Sequence, residues 1–213
     1  MMKALLSMAL LLLAACTTTP SIKHSPEQLE ELWQAHQQQL KRISNWEIDG
    51  RAAVRANNDG GQISLSWQQQ ADHYTIELSA PFGQGVVKLK GARDGVAASF
   101  PDEEEVYATD VAALLHERLG WRVPVNGLQY WVLGLPAPDA AAQRKLDGSG
   151  RLARLQQSQW RVDFKRYTTV DGLSLPKKIT LNRDGLRIKL IIDQWHVARR
   201  ADETALPATP PAS

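Results

Sequence analysis

Beyond residue 26 the apolar positions of this chain recur at helical spacing. Leu29, Leu32, Trp33, Leu40 and Ile43 are separated by Gln, Glu and Lys, which predicts one amphipathic helix. Ser25-Pro26-Glu27 has the chemistry of its start: an N-cap, a proline at the first helical position and an acid in the first turn. At Asn45 the period falls to two. Trp46, Ile48, Ala52 and Val54 alternate with Glu47, Asp49, Ala53 and Arg55. Ile63, Leu65 and Trp67 alternate with Ser64, Ser66 and Gln68, and Tyr74, Ile76 and Leu78 with Thr75, Glu77 and Ser79. Turn signals at 57–61 and 70–72 separate these runs. The pattern predicts an antiparallel meander with one apolar and one wet face, continued by strands at 84–90 and 95–100.

The middle of the chain changes character. Thr109 or Asp110 is an N-cap for a helix to Leu119, with Val111, Leu114, Leu115 and Leu119 on one face and Gly120 ending it. Residues 124–133 predict a second short helix, followed by a loop to about Lys145. Alternation then resumes through Leu152 and Leu155, Trp160, Val162 and Phe164, Ile179 and Leu181, and finally Leu186, Ile188, Leu190 and Ile192. Residues 148–150, 170–173 and 182–185 read as turns. The fold class is therefore mostly β with α: a long antiparallel sheet interrupted by a small helical block. Periodicity leaves open whether its apolar face is filled or hollow.

The N-terminus adds a location. Lys3 precedes an apolar run at 4–13, too short to cross a hydrocarbon core about 30 Å thick and matching the central region of an export signal. Leu13-Ala14-Ala15-Cys16 looks like a lipobox, in which the Cys16 thiol receives diacylglycerol and the new N-terminus is acylated. Cys16 is the only cysteine of the chain, so no internal disulfide competes for it. Residues 1–15 are read as the signal peptide, 16–26 as a lipid-anchored tether, 27–198 as one domain and 199–213, with three prolines, as a disordered tail. Removal of 1–15 leaves 198 of 213 residues, enough for one sizeable core. The formal charge of +2 predicts no nucleic-acid partner.

Catalytic chemistry is not what the residues offer. The histidines His24, His36, His73, His116 and His196 lack metal-ligand spacing, and Asp102-Glu103-Glu104-Glu105 reads as a solvated loop. There is no phosphate loop or nucleophile elbow; no enzyme, metal or cofactor is expected. Two features exceed simple core packing. Pro81-Phe82-Gly83 places a large apolar residue in a strand connection, where loops ordinarily face water. Phe82 either folds back on the sheet rim or serves as an exposed probe, and burying it in lipid is worth about 1.5–3 kcal/mol. Trp46, Trp67, Trp121, Trp131, Trp160 and Trp195 serve equally a packed core or an acyl-chain pocket.

Several of these segments in order resemble the LolB family of outer-membrane lipoprotein receptors. They are the lipobox, Trp33-Gln34-Ala35-His36-Gln37-Gln38, Trp46 through Ala52, Leu65-Ser66-Trp67-Gln68-Gln69, Pro81-Phe82-Gly83, Trp131-Val132-Leu133-Gly134-Leu135-Pro136, Arg187 through Leu190, and Asp193-Gln194-Trp195. The resemblance implies an incomplete, half-open antiparallel β-barrel with a helical lid over an apolar cavity. It implies a receptor that takes acylated lipoproteins from a LolA-like periplasmic carrier and releases them, without nucleotide, into the inner leaflet of the outer membrane. Pro81, Phe82 and Gly83 would form the membrane-probe loop, where the family often carries Leu. Thr17, rather than Asp, after the cysteine permits release to the outer membrane.

Strand alternation combined with the family's hollow sheet gives the acyl-chain cavity candidates. They are Trp46, Ile48, Val54, Ile63, Leu65, Trp67, Ile76 and Leu78, with Val162, Ile188 and Leu190 from later strands. A monomer anchored through Cys16 on the periplasmic face of the outer membrane is expected, with outer-membrane lipid as a further partner. A packed envelope scaffold and a general lipid carrier are the alternatives.

Overall fold

The start of the first helix is built as its residues require. In α1 (Pro26–Leu40) the Ser25 hydroxyl accepts from the Gln28 amide at 3.3 Å and the Gln28 side chain accepts from the Ser25 amide at 2.9 Å, a reciprocal capping box. Trp33 and Leu40 are the buried residues of its inner face. The computed structural model describes residues 24–56, 59–80, 85–92, 94–120 and 122–199. Residues 1–23, with Cys16 and the export signal, lie outside them, as do Pro81, Phe82, Gly83, Trp121 and the tail beyond 199.

Six strands follow: β1 (Ile43–Ala56), β2 (Asp59–Gln70), β3 (His73–Ser79), β4 (Val86–Ala92), β5 (Gly95–Ser99) and β6 (Val106–Ala108). Helices α2 (Val111–Leu119) and α3 (Val125–Trp131) come next. Strands β7 (Ala142–Leu146), β8 (Leu152–Gln157), β9 (Trp160–Val170), β10 (Leu173–Arg183) and β11 (Leu186–Arg199) complete the order. All strands join one antiparallel sheet in the order β6-β5-β4-β3-β2-β1-β11-β10-β9-β8-β7. The first and last strands pair at its centre, and β6 and β7 are left as free edges. It is an open barrel. Among the described residues no helix is long and apolar enough to span a membrane.

One glycine and one ion pair set the central seam. The β1–β11 register slips between Asp49 and Gly50, and a Cβ at Gly50 would lie 2.3 Å from the Ile191 carbonyl oxygen. A side chain there would force the two strands apart. Beside this bulge Arg51 donates to both carboxylate oxygens of Asp193, at 2.9 and 3.0 Å. The bidentate geometry fixes the register, and the Arg51 hydrogen bonds hold the Asp193 carboxyl below its ordinary value.

Five sequence expectations need correction. Strand β6 is three residues long, too short for alternation to show. Strand β7 reads Ala-Gln-Arg-Lys-Leu and is exposed at four of its five positions; a charged edge of this kind resists pairing with other chains and carries no apolar period. The second short helix starts at Val125 because Pro124, at ψ 80°, is its cap and not its first turn. Asp59, Gly60 and Gly61 belong to β2, and β11 runs one residue into the expected tail.

Candidate functional site: an apolar hollow under two helices

The concave face is not uniformly filled. Around β8, β9 and β10 the core is dense: Trp33, Trp131, Trp160, Leu152, Leu155 and Val162 are at most 1% exposed. The Trp131 and Trp160 rings lie 6.3 Å apart, tilted by 53°. The C-terminal end of α3 is tied to this block by Gln157, itself only 3% exposed. Its carbonyl accepts from Trp131 Nε1 and the Ala137 amide, both at 2.9 Å. Its amide donates to the Ala137 and Ala140 carbonyls, both at 2.7 Å.

Toward β1–β4 the packing opens. A void of about 90 Å³ lies between the sheet and the lid. Its floor is formed by Val54, Ile63, Leu65, Trp67, Ile76 and Leu78, with Ile188 and Leu190 from the last strand. These eight are sequence candidates brought together. Three others stand apart. Trp46 is buried behind the void against Trp67 and Trp195, with ring centroids 5.2 and 5.8 Å away. Ile48 is fully buried, and Val162 lies in the dense block. Alternation tells which face a side chain takes but not how far along the strand the hollow extends.

The roof was missed by reading strands alone. Leu115 of α2, Val123, and Val125 and Leu128 of α3 close the void, and Ala52, Leu89 and Leu181 complete its walls. The helical stripe containing Leu115 was the available signal. Asp110 caps α2 by accepting from the Ala112 and Ala113 amides at 2.9 and 3.0 Å, and Gly120 ends it in a left-handed conformation, φ +75°. The one polar atom among the lining side chains, Trp67 Nε1, donates to Gln69 at 3.1 Å. Gln69 in turn donates to the Ala71 carbonyl at 2.8 Å. The surface offered to the void is hydrocarbon, with no charge. Tyr74, on the same sheet face, has its phenol pushed up to about 12 by burial and stays neutral.

None of the fifteen residues lining the void carries a titratable or metal-ligating side chain; what it presents is apolar surface turned away from water. The fold is thus an open antiparallel barrel with a helix-covered hollow lined by apolar side chains. The match to known proteins narrows the class. The family model described as outer membrane lipoprotein LolB matches residues 44–195. The outer-membrane lipoprotein LolB of Pseudomonas aeruginosa (strain LESB58) is 38% identical over 188 residues, 88% of this chain and 92% of its own. That of Pseudomonas putida (strain GB-1) is 40% identical over 163 residues, 76% of this chain and 80% of its own. This chain belongs to the outer membrane lipoprotein LolB family. It is an outer-membrane lipoprotein of the lipoprotein-localisation pathway.

The crystal structure of a LolA superfamily protein from Nitrosomonas europaea shares the fold. Its TM-score is 0.53 at 10% identity, over 82% of this chain and 97% of that one.

Proposed function

We propose that residues 27–198 form a lipoprotein-binding domain whose hollow receives the acyl chains of a lipoprotein brought by a LolA-like carrier. The domain then releases them into the inner leaflet of the outer membrane. The observation that carries this reading is the void lined only by hydrocarbon between the concave sheet and the lid. Each methylene kept from water contributes about 0.8 kcal/mol. A carrier, a receptor and a bilayer that bind the chains successively better need no nucleotide.

At about 90 Å³ the void is smaller than the roughly 150 Å³ cavity that admits benzene in another protein. Entry of an acyl chain therefore displaces the lid. The α3 C-terminus is riveted by Gln157, whereas α2 and the start of α3 reach the sheet largely through apolar contacts. The polar links there are Gln69 to Gln129, long at 3.4 Å, and a partly exposed ion pair from Arg118 of α2 to Glu103 at 2.6 Å. The lid opens from its α2 side in this reading. Cys16 carries the lipid anchor and Phe82 is the membrane probe; the protein acts as a monomer.

The test is transfer of a labelled lipoprotein from purified carrier to this protein without nucleotide, alongside uptake of an apolar fluorophore. Transfer and uptake are both expected. Uptake of free fatty acid with no acceptance of lipoprotein would point to a general lipid carrier, and failure of both to a packed scaffold. For the probe, Phe82→Glu is expected to keep cargo uptake and lose delivery to vesicles. Normal delivery by that variant removes the role.

A further inference from the structure

The convex face of the sheet is polarised along its strands. On the outward side of β1 the order is Glu47, Asp49, Arg51 and Arg55, with Arg51 neutralised by Asp193 at 2.9 Å. At the far end, where β1 turns into β2 and β10 into β11, cations gather. Arg55 pairs directly with Arg187 across the β1–β11 ladder, and Ala53 with Lys189. On the other side Arg55 faces Gly60 and Ala53 faces Gln62. Small residues between the long basic ones leave a shallow groove of about 530 Å³ bordered by Arg55, Arg187 and Lys189. Among the described side chains no carboxylate pairs with any of these three.

The basic band continues outward along the same register. Arg187 faces Asn182 and Asn182 faces Arg161. Arg154, Arg161 and Lys165 surround the nearly buried Asp163 at 2.7, 3.4 and 3.9 Å, three cations against one anion. Like charges placed directly opposite on a sheet destabilise it, so the Arg55–Arg187 pair works against the fold. The strand leading to residues 81–84 runs toward this end and leaves the sheet four residues short of Arg55: Ser79 pairs with Ser64, and Ser64 with Arg51. As an outer-membrane lipoprotein, the chain works beside a phospholipid surface.

We infer that the Arg55–Arg187–Lys189 groove docks on the phosphate headgroups of an anionic phospholipid surface and so orients the body on the membrane during delivery. The inference deepens the reading of the chain as a receptor that delivers to membranes. Each basic residue close to an anionic bilayer is worth roughly fivefold in binding, and the gain is screened by salt within a Debye length. The site asks for negative surface charge and not for one headgroup structure.

The experiment uses the full chain after residue 15 with Cys16→Ala, so that the lipid anchor does not mask the contact. It is co-sedimented with vesicles of phosphatidylcholine alone or with added phosphatidylglycerol, at low and high salt. Binding is expected only to the anionic vesicles and to weaken with salt. Arg55→Gln/Arg187→Gln/Lys189→Gln is expected to lower it by about a hundredfold while leaving fluorophore uptake intact and raising the melting temperature. Equal binding to neutral and anionic vesicles, or no effect of the triple substitution, overturns the inference. So does full competition by inorganic phosphate, which would mark a small-anion pocket. A loss confined to binding of the purified carrier would assign the face to an acidic protein instead. Fluorophore uptake reports the receptor reading separately, so the two can fail independently.

Discussion

The two halves of the concave face are built from the same residue types and differ in how completely they are filled. Under β8, β9 and β10, Leu152, Leu155 and Val162 are entirely buried and Trp131 and Trp160 interlock. Under β2 and β3, Ile63, Leu65 and Leu78 remain partly accessible beside a void. The dense half is closed tightly, with only the buried Trp160 Nε1 lacking a hydrogen-bond partner among its described side chains: α1 seats against Gly150, where a Cβ would lie 2.4 Å from Leu32 Cβ, and Gln157 pins the chain after α3. The hollow half has only the apolar undersides of α2 and α3. Stability and capacity are thereby separated in space, so that one half holds the fold while the other yields to a ligand.

The largest effects are expected in the dense half. Leu155→Ala and Trp160→Ala should each cost about 3–5 kcal/mol, measured by denaturant unfolding. Gln157→Leu strands the Trp131 indole and the Ala137 and Ala140 backbone groups. It should cost about 2–3 kcal/mol and loosen the lid at its hinge. Leu65→Ala, on the hollow side, should cost only about 1–2 kcal/mol, because its side chain already borders empty space. Apolar fluorophore uptake should then be maintained or increased; a cost equal to that of Leu155→Ala would erase the contrast between the halves. Ala52→Leu fills the void and should lower fluorophore affinity about tenfold with stability changed by less than about 1.5 kcal/mol.

The smallest expected effect is on the acid limb of stability, at the dense end. Burial of His36 on α1, reinforced by Arg151, holds its pKa below the ordinary 6.5, with Asp147 opposing. Burial raises the Asp147 pKa, but hydrogen bonds from the Arg151 side chain and the Arg151 and Ser149 amides outweigh it, leaving the group below 3.8. Both groups bind protons more readily when unfolded, so each contributes stability that is present above its unfolded pKa. That contribution is lost as pH falls through the folded one. His36→Gln should flatten the decline just below pH 6.5, and Asp147→Asn the decline below 3.8. Melting temperatures measured through the acid range read both.

Much of this was legible in the sequence. The capping box at Ser25, the period-two runs of β1, β2 and β3, and the turn at Gly148-Ser149-Gly150 all follow from local chemistry. Eight of the eleven cavity candidates border the void because alternation assigns faces reliably. What stayed hidden is depth. Trp46 and Ile48 share a strand face with Val54, yet Trp67 and Trp195 close over the first part of that strand and not the last. The roof residues Val123 and Leu128 belong to short segments whose partner face is set by tertiary packing. The basic groove needed register: Arg55 and Arg187 are 132 positions apart in the chain and become neighbours only through the β1–β11 ladder.

That ladder also dictates a history for each molecule. The strand that begins the sheet waits for the strand that ends it, so the longest-range contact in the chain is also its central one. Such an order makes for slow assembly, since distant ends must meet before the centre of the sheet can form. Until β11 emerges and docks, β1 and β10 each carry an unpaired edge, the condition in which partly folded chains join the wrong partners. A chain ending before Leu186 would keep both edges open permanently and should aggregate, not merely lose activity. The protein becomes itself only when its last strand has arrived.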